Sequence, residues 1–370
     1  MSGAQPACRI DRSYDIALPG HPQGISVTAD GTLFVALNAT KPSEENGIAV
    51  LACHARHYEL KRVFQLEHQP NVLALTHDGK MLVVPDDNFI AFIDTRKLRS
   101  GTGQPLLGFI EDIPGDDGGA VYATVSPDDR QALVAEEGAG TITVIDLQRV
   151  RAGKFDRAVI GADILVGSAP VTLAYAKDGK YVFATVQRAL PGKNWEATCN
   201  PQSGSATDPK ERPGAVVTLD ASRLVTDKDG AIVSYVPAGC HPVRAALSPD
   251  DSRLWVSARA SNKVFSFSTD DLRGNAANPQ SVQVLVGPAP VPIIVTASGK
   301  HVLVGNSNRF NAAPSSQTPI DVIDAKTGQV AMHLRSGEFP RQFAISPDGS
   351  TIFVSNYGSD SISLLDARSL

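Results

Sequence analysis

Short apolar runs separated by polar turns recur along this chain about every 50 residues. No long window shows the 3.6-residue period of a helix, and each repeat has room for four short strands. The clearest strand is the second of each repeat, at residues 33–37, 81–84, 132–135, 181–186, 254–257, 302–304 and 352–354. Four short strands in a repeat of this length are typical of a propeller blade. We therefore predict an all-β, seven-bladed β-propeller with four antiparallel strands in each blade.

A turn signal marks the repeats. Asp-Gly, Asp-Asp or Ser-Gly begins at residues 30, 78, 128, 178, 250, 298 and 348. These pairs favour tight turns, because Gly and Asp tolerate a positive φ. Eight residues before each pair we place the start of a blade: Pro22, Pro70, Ala120, Pro170, Pro242, Pro290 and Pro340. Proline suits the first residue of a strand, where its missing N–H is harmless.

The two ends of the chain predict how the ring closes. The seventh repeat stops after its third strand, because the chain ends at Leu370, and one unassigned strand at 14–18 precedes the first proline. We predict that this strand completes blade 7 in a three-plus-one closure, which leaves no free sheet edge at the junction. A length of 370 residues alone would suggest several domains, but the repeats predict one propeller domain over residues 1–370.

Segment 339–357, FPRQFAISPDGSTIFVSNY, carries a family pattern. A proline, then Ser-Pro-Asp-Gly, then an apolar strand that ends in Asn resembles the YVTN repeat, which is shared with the 6-phosphogluconolactonase-like propellers. The resemblance extends over essentially the whole chain and implies the seven-bladed fold. The group contains hydrolases, lactonising enzymes, cofactor-enzyme subunits and binding proteins, so the resemblance implies no single activity. The Trp-Asp signature of WD40 blades is missing.

Topology sorts the side chains between two faces. The first strand of a blade runs down the channel and the second returns, so residues beside the blade starts and after the second strands share one face, here called the top face. The turn pairs lie on the opposite, bottom face. Asn is the common residue after the second strand, which makes Asp86, Glu136 and Arg259 departures from the pattern.

Charge on the top face is unevenly distributed. Blades 2 and 3 place there Asp86, Asp87, Asp116, Asp117, Glu136 and Glu137, whereas blades 4 to 7 place there Arg188, Arg244, Arg259, Arg309 and Arg341. This predicts a central pocket that grips an anionic small molecule by a carboxylate or phosphate. The predicted acid–base residues are His241 and Glu136. The predicted substrate-binding residues are Arg244, Arg259, Arg341, His21, Asp86, Tyr122, Asn306, Asn356, Tyr357 and Trp195. Individually, these side chains could instead be solvated or form structural ion pairs.

One interval between turns is 72 residues, about 22 more than its neighbours, and the excess falls after the second strand of blade 4. The insertion, residues 187–213, contains Trp195 and Cys199 and emerges on the top face. We predict a lid over the pocket; the alternative is a surface loop.

Two classes of function remain open. The first is a small-molecule enzyme of the lactonase-like type: a hydrolase, lactonising enzyme or isomerase. The second is a non-catalytic YVTN-type protein that docks a peptide or protein partner. No cofactor is predicted. A Ca²⁺ or Mg²⁺ on the top face is disfavoured because its ligands are spread across blades. A metal at Cys53, His54 and His57 is disfavoured because these residues lie in a bottom-face turn with no second ligand cluster in the sequence. A net charge of −5 and the lack of a long apolar run argue against nucleic acid and membrane insertion, and we expect a monomer.

The four cysteines pair by topology. Cys199 and Cys240 both belong to the top face around blades 4 and 5, and Cys8 and Cys53 lie near the bottom face on adjacent blades. We predict Cys199–Cys240 and Cys8–Cys53 disulfides. Stable disulfides imply an oxidising compartment, so we expect a periplasmic or secreted protein whose signal, not visible here, has been removed. The alternative is four free thiols in a cytoplasmic protein.

Overall fold

The computed structural model describes residues 8–86, 88–111, 119–192, 195, 199, 212–276, 279, 281–309 and 319–370. These residues form seven four-stranded antiparallel sheets arranged in a ring, which confirms the predicted seven-bladed propeller. The strands of each blade are given from the channel outward. Blade 1 contains β2 (His21–Val27), β3 (Leu33–Asn38), β4 (Gly47–His54) and β5 (His57–Gln65), and blade 2 contains β6 (Ala74–Leu75), β7 (Met81–Asp86), β8 (Phe89–Asp94) and β9 (Leu106–Glu111). Blade 3 contains β10 (Ala120–Val125), β11 (Gln131–Glu136), β12 (Thr141–Asp146) and β13 (Ile160–Leu165), and blade 4 contains β14 (Ser168–Tyr175), β15 (Tyr181–Arg188), β16 (Ala215–Asp220) and β17 (Ile232–Pro237). Blades 5 to 7 contain β18 (Pro242–Leu247), β19 (Arg253–Ala258), β20 (Lys263–Ser268) and β21 (Ser281–Leu285); β22 (Pro290–Val295), β23 (His301–Asn306), β24 (Pro319–Asp324) and β25 (Gln329–Arg335); and β26 (Pro340–Ile345), β27 (Thr351–Asn356), β28 (Ser361–Asp366) and β1 (Tyr14–Ala17).

The ring closes through strand β1. It pairs antiparallel with β28, from Tyr14 opposite Leu364 to Ala17 opposite Ser361, and is the outermost strand of blade 7. The N-terminal segment also reaches blade 1, because the Tyr14 hydroxyl accepts a hydrogen bond from the Tyr58 amide at 2.8 Å. One short stretch of chain therefore joins the last blade to the first.

Seven hydrophobic clusters hold the blades together, and each lies between two neighbouring blades. Between blades 7 and 1, for example, Phe353 packs edge-on against Tyr58 with ring centroids 5.2 Å apart. Strands in such a stack have both faces covered, so they form continuous apolar runs. The core is thus a circular series of sheet-on-sheet contacts.

The turn pairs adopt the backbone that their residues predict. The second member has a positive φ in all seven turns: Gly31, Gly79, Asp129, Gly179, Asp251, Gly299 and Gly349. The first member accepts a hydrogen bond from a hydroxyl two residues earlier in most blades, as Asp128 does from Ser126 at 2.6 Å. Each turn is therefore fixed by its own side chains.

The helices are short and follow third strands. They are α1 (Thr95–Ser100), α2 (Leu147–Arg151) and α3 (Thr269–Arg273), with single 3₁₀ turns at Arg157–Val159, Arg259–Ser261, Tyr357–Ser359 and Ala367–Ser369. The last residue of each third strand caps the α-helix that follows: Asp94 accepts from the Lys97 amide, Asp146 from the Gln148 amide and Ser268 from the Asp271 amide. Among the described residues, no helix has the length and apolar character needed to cross a bilayer.

Candidate functional site

A cavity of about 160 Å³ lies in the channel on the top face. The residue directly after each blade start lines it: Gln23, Asn71, Val121, Val171, Val243, Val291 and Arg341. Residues just after second strands complete the wall, namely Glu137, Arg259 and Arg309, with Gln187 near the end of β15 and Arg244 on β18. The topology therefore gathers side chains from all seven blades around one small space.

One side of this space is apolar. Val171, Val243 and Val291 come from three consecutive blades and pack against one another. They occupy equivalent positions of the repeat, so the valine patch is a product of the ring symmetry. A ligand in the cavity has both an apolar surface and polar groups within reach.

Four arginines dominate the polar side: Arg244, Arg259, Arg309 and Arg341, here called the arginine cluster. Arg244 is the most enclosed, with 8% of its surface exposed. Its Nε and Nη1 atoms are buried and have no hydrogen-bond partner. The guanidinium lies over the Tyr122 ring, 5.3 Å from its centroid, which is a cation–π contact.

Arg341 and Arg309 share one aromatic side chain. Their guanidinium groups lie 5.2 and 5.5 Å from the centroid of Phe339. Arg341 also lies 5.7 Å from the ring of Tyr357, and its Nε donates to Gln23 Oε1 at 2.8 Å. These neutral partners fix the position of Arg341 without neutralising its charge.

A buried amide joins Arg259 to the cavity's carboxylate. Gln187 Oε1 accepts from Arg259 Nη2 at 2.9 Å, and Gln187 Nε2 donates to Glu137 Oε1 at 2.7 Å. Gln187 is 7% exposed, so its orientation is fixed by this pair of bonds. Within the described lining, Glu137 is the one carboxylate that faces the arginine cluster.

Burial and mutual repulsion depress the arginine pKa values. Burial, then the neighbouring Arg244 and Arg309, lowers the pKa of Arg341 to about 9. Burial, then Arg309, lowers the pKa of Arg259 to about 10. Burial also lowers the pKa of Arg244 and raises that of Tyr122. In each case burial is the largest cause, because it disfavours the charged form of the side chain.

The structure brings together part of the predicted site. Arg244, Arg259 and Arg341 line the cavity, and Tyr122 and Tyr357 support two of them. Glu136 instead ends β11 with none of its surface exposed, and its neighbour Glu137 lines the cavity. Asp86 ends β7, is 3% exposed, and is likewise not part of the described lining.

His241 contributes through its backbone. It has a φ of 51°, and its carbonyl accepts from the Arg259 amide at 2.9 Å. The same contact recurs in blades 3, 6 and 7, where Glu137, Ser307 and Tyr357 donate to the residue before the blade start. The repeat thus uses this position to hold the residue that follows the second strand.

The remaining predicted residues are not part of the described cavity lining. His21 stacks on Tyr357 and contacts Asp360 and Glu44 at the seam between blades 1 and 7. Asn306 and Asn356 are fully buried and bond within their own blades, to Asp321 and Ser363 respectively. Trp195 packs on Tyr235 in an outer groove near Cys240. Asp87, Asp116, Asp117 and most of residues 187–213 lie outside the described residues.

The sequence did contain a signal for two polar lining residues that were not predicted, Gln23 and Asn71. The position after the blade start is valine in four blades. Gln23, Asn71 and Arg341 are its polar departures, and all three line the cavity. A comparison of the repeats at that position would have found them.

Both predicted disulfides are present. Cys8 bonds to Cys53 and Cys199 to Cys240, with Cα atoms 5.8 and 5.6 Å apart, and the described chain has no free cysteine. Cys53 is therefore not available as a thiolate ligand. Across the described ranges, no group of three or more His, Cys, Asp or Glu side chains is arranged to hold a metal ion.

The fold and the cavity together define the class: a seven-bladed β-propeller with a cationic central cavity. Among solved structures, the chain is similar to Hydrazine Synthase of Kuenenia stuttgartiensis, with 18% identity, 99% of this chain and 98% of that chain covered, and a TM-score of 0.67. At that identity the similarity shows the fold alone. No protein-family model matches the chain. No curated protein matches it either.

Proposed function

We propose that this propeller binds a small anionic molecule, through a carboxylate or phosphate group, in its central cavity. The observation that carries the proposal is Arg244, whose guanidinium is nine-tenths buried with Nε and Nη1 unpartnered. Burial of a cation without a partner lowers the free energy of unfolding by several kcal/mol. The protein would therefore be more stable with an apolar residue at this position. An oxyanion in the cavity would offset that cost with short charge-assisted hydrogen bonds.

Enzymatic activity of the lactonase-like type is the function that this cavity supports best. Glu137 lies in the cavity, held by Gln187 opposite Arg259. In ester or lactone hydrolysis, Glu137 would accept a proton from the attacking water, and the arginine cluster would stabilise the oxyanion and then the carboxylate product. The same groups suit lactonisation or isomerisation of a carboxylate substrate. A space of about 160 Å³ favours a small molecule over a docked peptide.

The two disulfides support a periplasmic or secreted location, because such bonds persist in oxidising compartments. Under that proposal, protein isolated from its native compartment without reductant carries no alkylatable thiol. Four alkylatable thiols in such material would contradict it and favour the cytoplasmic alternative.

Binding is tested by thermal shift and calorimetry with small carboxylates, inorganic phosphate and lactones. We expect anions to raise the melting temperature of the wild type, and Arg244→Gln to remove that effect. The matched control is Arg96→Gln, which changes an exposed arginine on α1 at the bottom face. An anion response that survives in Arg244→Gln would contradict the site.

Catalysis is tested separately with Glu137→Gln. If Glu137 is the base, this variant keeps anion binding and loses lactone turnover by about 100-fold or more. Equal turnover in the variant and the wild type would exclude Glu137 as the base, and no turnover by the wild type would leave the protein a binding protein.

A further inference from the structure

We infer that the ligand of the cavity is a monocarboxylate with a short aliphatic chain, whose carboxylate binds at Arg244 and whose chain covers the valine patch. The inference deepens the proposed function and rests on it, since the cavity must first bind an anion. It is carried by the order of the residues around the channel and by a hydrophobic cluster that lies in the channel rather than between two blades.

The channel wall has a polar arc and an apolar arc. The first strands of neighbouring blades contact one another all round the ring, so their order in the chain is their order around the channel. At the position directly after the blade start, blades 7, 1 and 2 carry Arg341, Gln23 and Asn71, and blades 3 to 6 carry valine. The polar residues are thus consecutive and so are the valines, which gives the cavity one polar side and one apolar side.

The valine patch is separate from the core that holds the blades together. The seven clusters described above lie between neighbouring blades, whereas Val171, Val243 and Val291 form a cluster of their own and line the cavity. An alkyl group that covers these side chains removes apolar area from water on both surfaces, which is favourable. The patch therefore offers a surface for a hydrocarbon chain.

Arg244 lies on the same side of the channel as the valines. It follows Val243 on β18 of blade 5, and its guanidinium lies over Tyr122 of blade 3. The side chain therefore spans blade 4, whose residue in the cavity wall is Val171. Because Arg244 Nε and Nη1 have no hydrogen-bond partner, a carboxylate bound to this guanidinium has an apolar wall beside its first carbon atoms.

The amides of the polar arc are already bonded within the protein. Gln23 Oε1 accepts from Arg341 Nε at 2.8 Å, and Asn71 Nδ2 donates to the Ala120 carbonyl at 3.1 Å. Both amides are thus held in place without a ligand. The valine side chains offer only apolar contact, so we place the chain of the ligand against them. A hydroxylated chain would need the polar arc instead, and the test below compares the two kinds of chain directly.

The size of the cavity limits the length of the chain. Its volume of about 160 Å³ equals that of about five water molecules in the liquid. Carboxylates with about three to five carbons in all are of this size.

The test is calorimetric titration of the full chain with the straight-chain series from acetate to hexanoate at neutral pH. We expect the affinity to increase about threefold with each added methylene until the cavity is filled, because each methylene is buried against the valines. The heat capacity change of binding should become more negative along the series, which is the marker of apolar burial.

Two hydroxy acids are the matched comparison ligands. In glycolate and 3-hydroxypropionate, a hydroxyl group replaces the terminal methyl group of propionate and butyrate, with the same charge and almost the same size. Each hydroxy acid should bind more weakly than its parent acid, because the hydroxyl group loses water against an apolar wall without gaining a partner.

Threonine variants test where the chain lies. Val171→Thr and Val291→Thr each replace a methyl group of the patch by a hydroxyl. Each should reduce the gain per methylene and change the affinity for acetate by less than about twofold, because the guanidinium of Arg244 is untouched. Val225→Thr, at an exposed position that is not part of the described lining, is the matched control and should leave the series unchanged. Arg244→Gln should abolish binding of every member.

The outcomes separate this inference from the proposed function. Equal affinity along the series, or hydroxy acids that bind as tightly as their parent acids, would overturn the aliphatic chain and leave anion binding standing. Binding of inorganic phosphate but of no carboxylate would do the same. No response to any of these anions would overturn the proposed function itself. A gain per methylene that is the same in both threonine variants as in the wild type would place the chain away from the valine patch and overturn the inference. The wild-type series decides the class of ligand even if a threonine variant does not fold.

Discussion

At the scale of single residues, the site contains buried charged side chains that lower the stability of the fold. Burial of an arginine side chain disfavours folding, and here Arg244, Arg259 and Arg341 lie within electrostatic reach of one another. The aromatic rings and amides around them hold the side chains without cancelling their charge. Around Arg244, whose Nε and Nη1 are buried without a hydrogen-bond partner, this is the arrangement expected where a ligand supplies a countercharge.

Arg244→Met should therefore stabilise the free protein and abolish its response to anions. Methionine fills similar space without a charge, so we expect a gain of about 1 kcal/mol or more in the free energy of unfolding. Differential scanning calorimetry with and without ligand measures both effects. Arg96→Met, on an exposed helix position, is the control. A loss of stability in Arg244→Met would show that its contact with Tyr122 is structural.

Anion affinity should depend on alkaline pH. The pKa values of Arg341 and Arg259 are about 9 and about 10, below those of an unfolded arginine. Below the folded-state pKa, the arginines are charged in the folded protein and their charge lowers the free energy of unfolding by its full amount. That loss of stability diminishes as the pH rises through the folded-state pKa. A bound anion favours the charged forms, so affinity should be constant from about pH 6 to 8 and fall above about pH 9. Calorimetry across this range with a fully ionised ligand measures the effect; an affinity that is flat to pH 10.5 would contradict it.

Comparison of the repeats singled out the arginines. It could not predict which of two adjacent residues has its side chain facing the channel. Glu136 and Glu137 illustrate the limit. Side chains alternate along a strand, and at its end the backbone leaves the sheet, so a difference of one residue separates a buried position from a cavity position. Glu136 is the last residue of β11 and is buried, whereas Glu137 begins the turn and reaches Gln187. At His241 the structure shows a backbone contact that no side-chain pattern predicts, because its carbonyl accepts from the Arg259 amide.

At the scale of elements, the sequence was most informative where a residue type has one physical use. The turn pairs and the aspartates that end third strands were visible because positive φ and helix caps select Gly and Asp. The two Asp-Asp turns show a further use. Asp129 accepts from the His77 amide of blade 2, and Asp251 pairs with Arg273 and the Lys177 amide of blade 4. These carboxylates fasten one blade to the previous one, which glycine could not do.

Strand β1 gives the prediction that belongs to this scale. Deletion of residues 1–18 would remove the outer strand of blade 7 and expose the edge of β28. We expect aggregation or a large fall in melting temperature, because an unpaired edge invites pairing with another chain. The deletion also removes Cys8, so the full chain with Cys8→Ser and Cys53→Ser is the control. A deletion variant no less stable than that control would show that the strand is dispensable.

At the scale of the whole molecule, the ring has seven packed interfaces, and one of them is not made by consecutive blades. Blades 7 and 1 meet only because the ends of the chain do. The cavity depends on that seam, since Gln23 on one side bonds Arg341 on the other. Although the formal net charge is −5, the described cavity lining is positive, so the polarity of the site is local.

The two disulfides allow the seam to be tested against an internal standard. They span similar lengths of chain, 45 and 41 residues, so loop closure in the unfolded state predicts nearly equal stabilisation, about 3–4 kcal/mol each. They differ in place. Cys8–Cys53 ties the segment that carries β1 to blade 1, across the seam, whereas Cys199–Cys240 joins the blade 4 insertion to the start of blade 5.

We therefore expect Cys8→Ser with Cys53→Ser to lower the melting temperature more than Cys199→Ser with Cys240→Ser. The second pair of substitutions should instead change anion affinity more, because Cys240 lies next to His241, whose carbonyl holds the Arg259 backbone. Calorimetry of both variants, with and without ligand, measures stability and affinity together. Equal losses of stability would mean that only chain entropy matters and that the seam is no weaker than the other six interfaces.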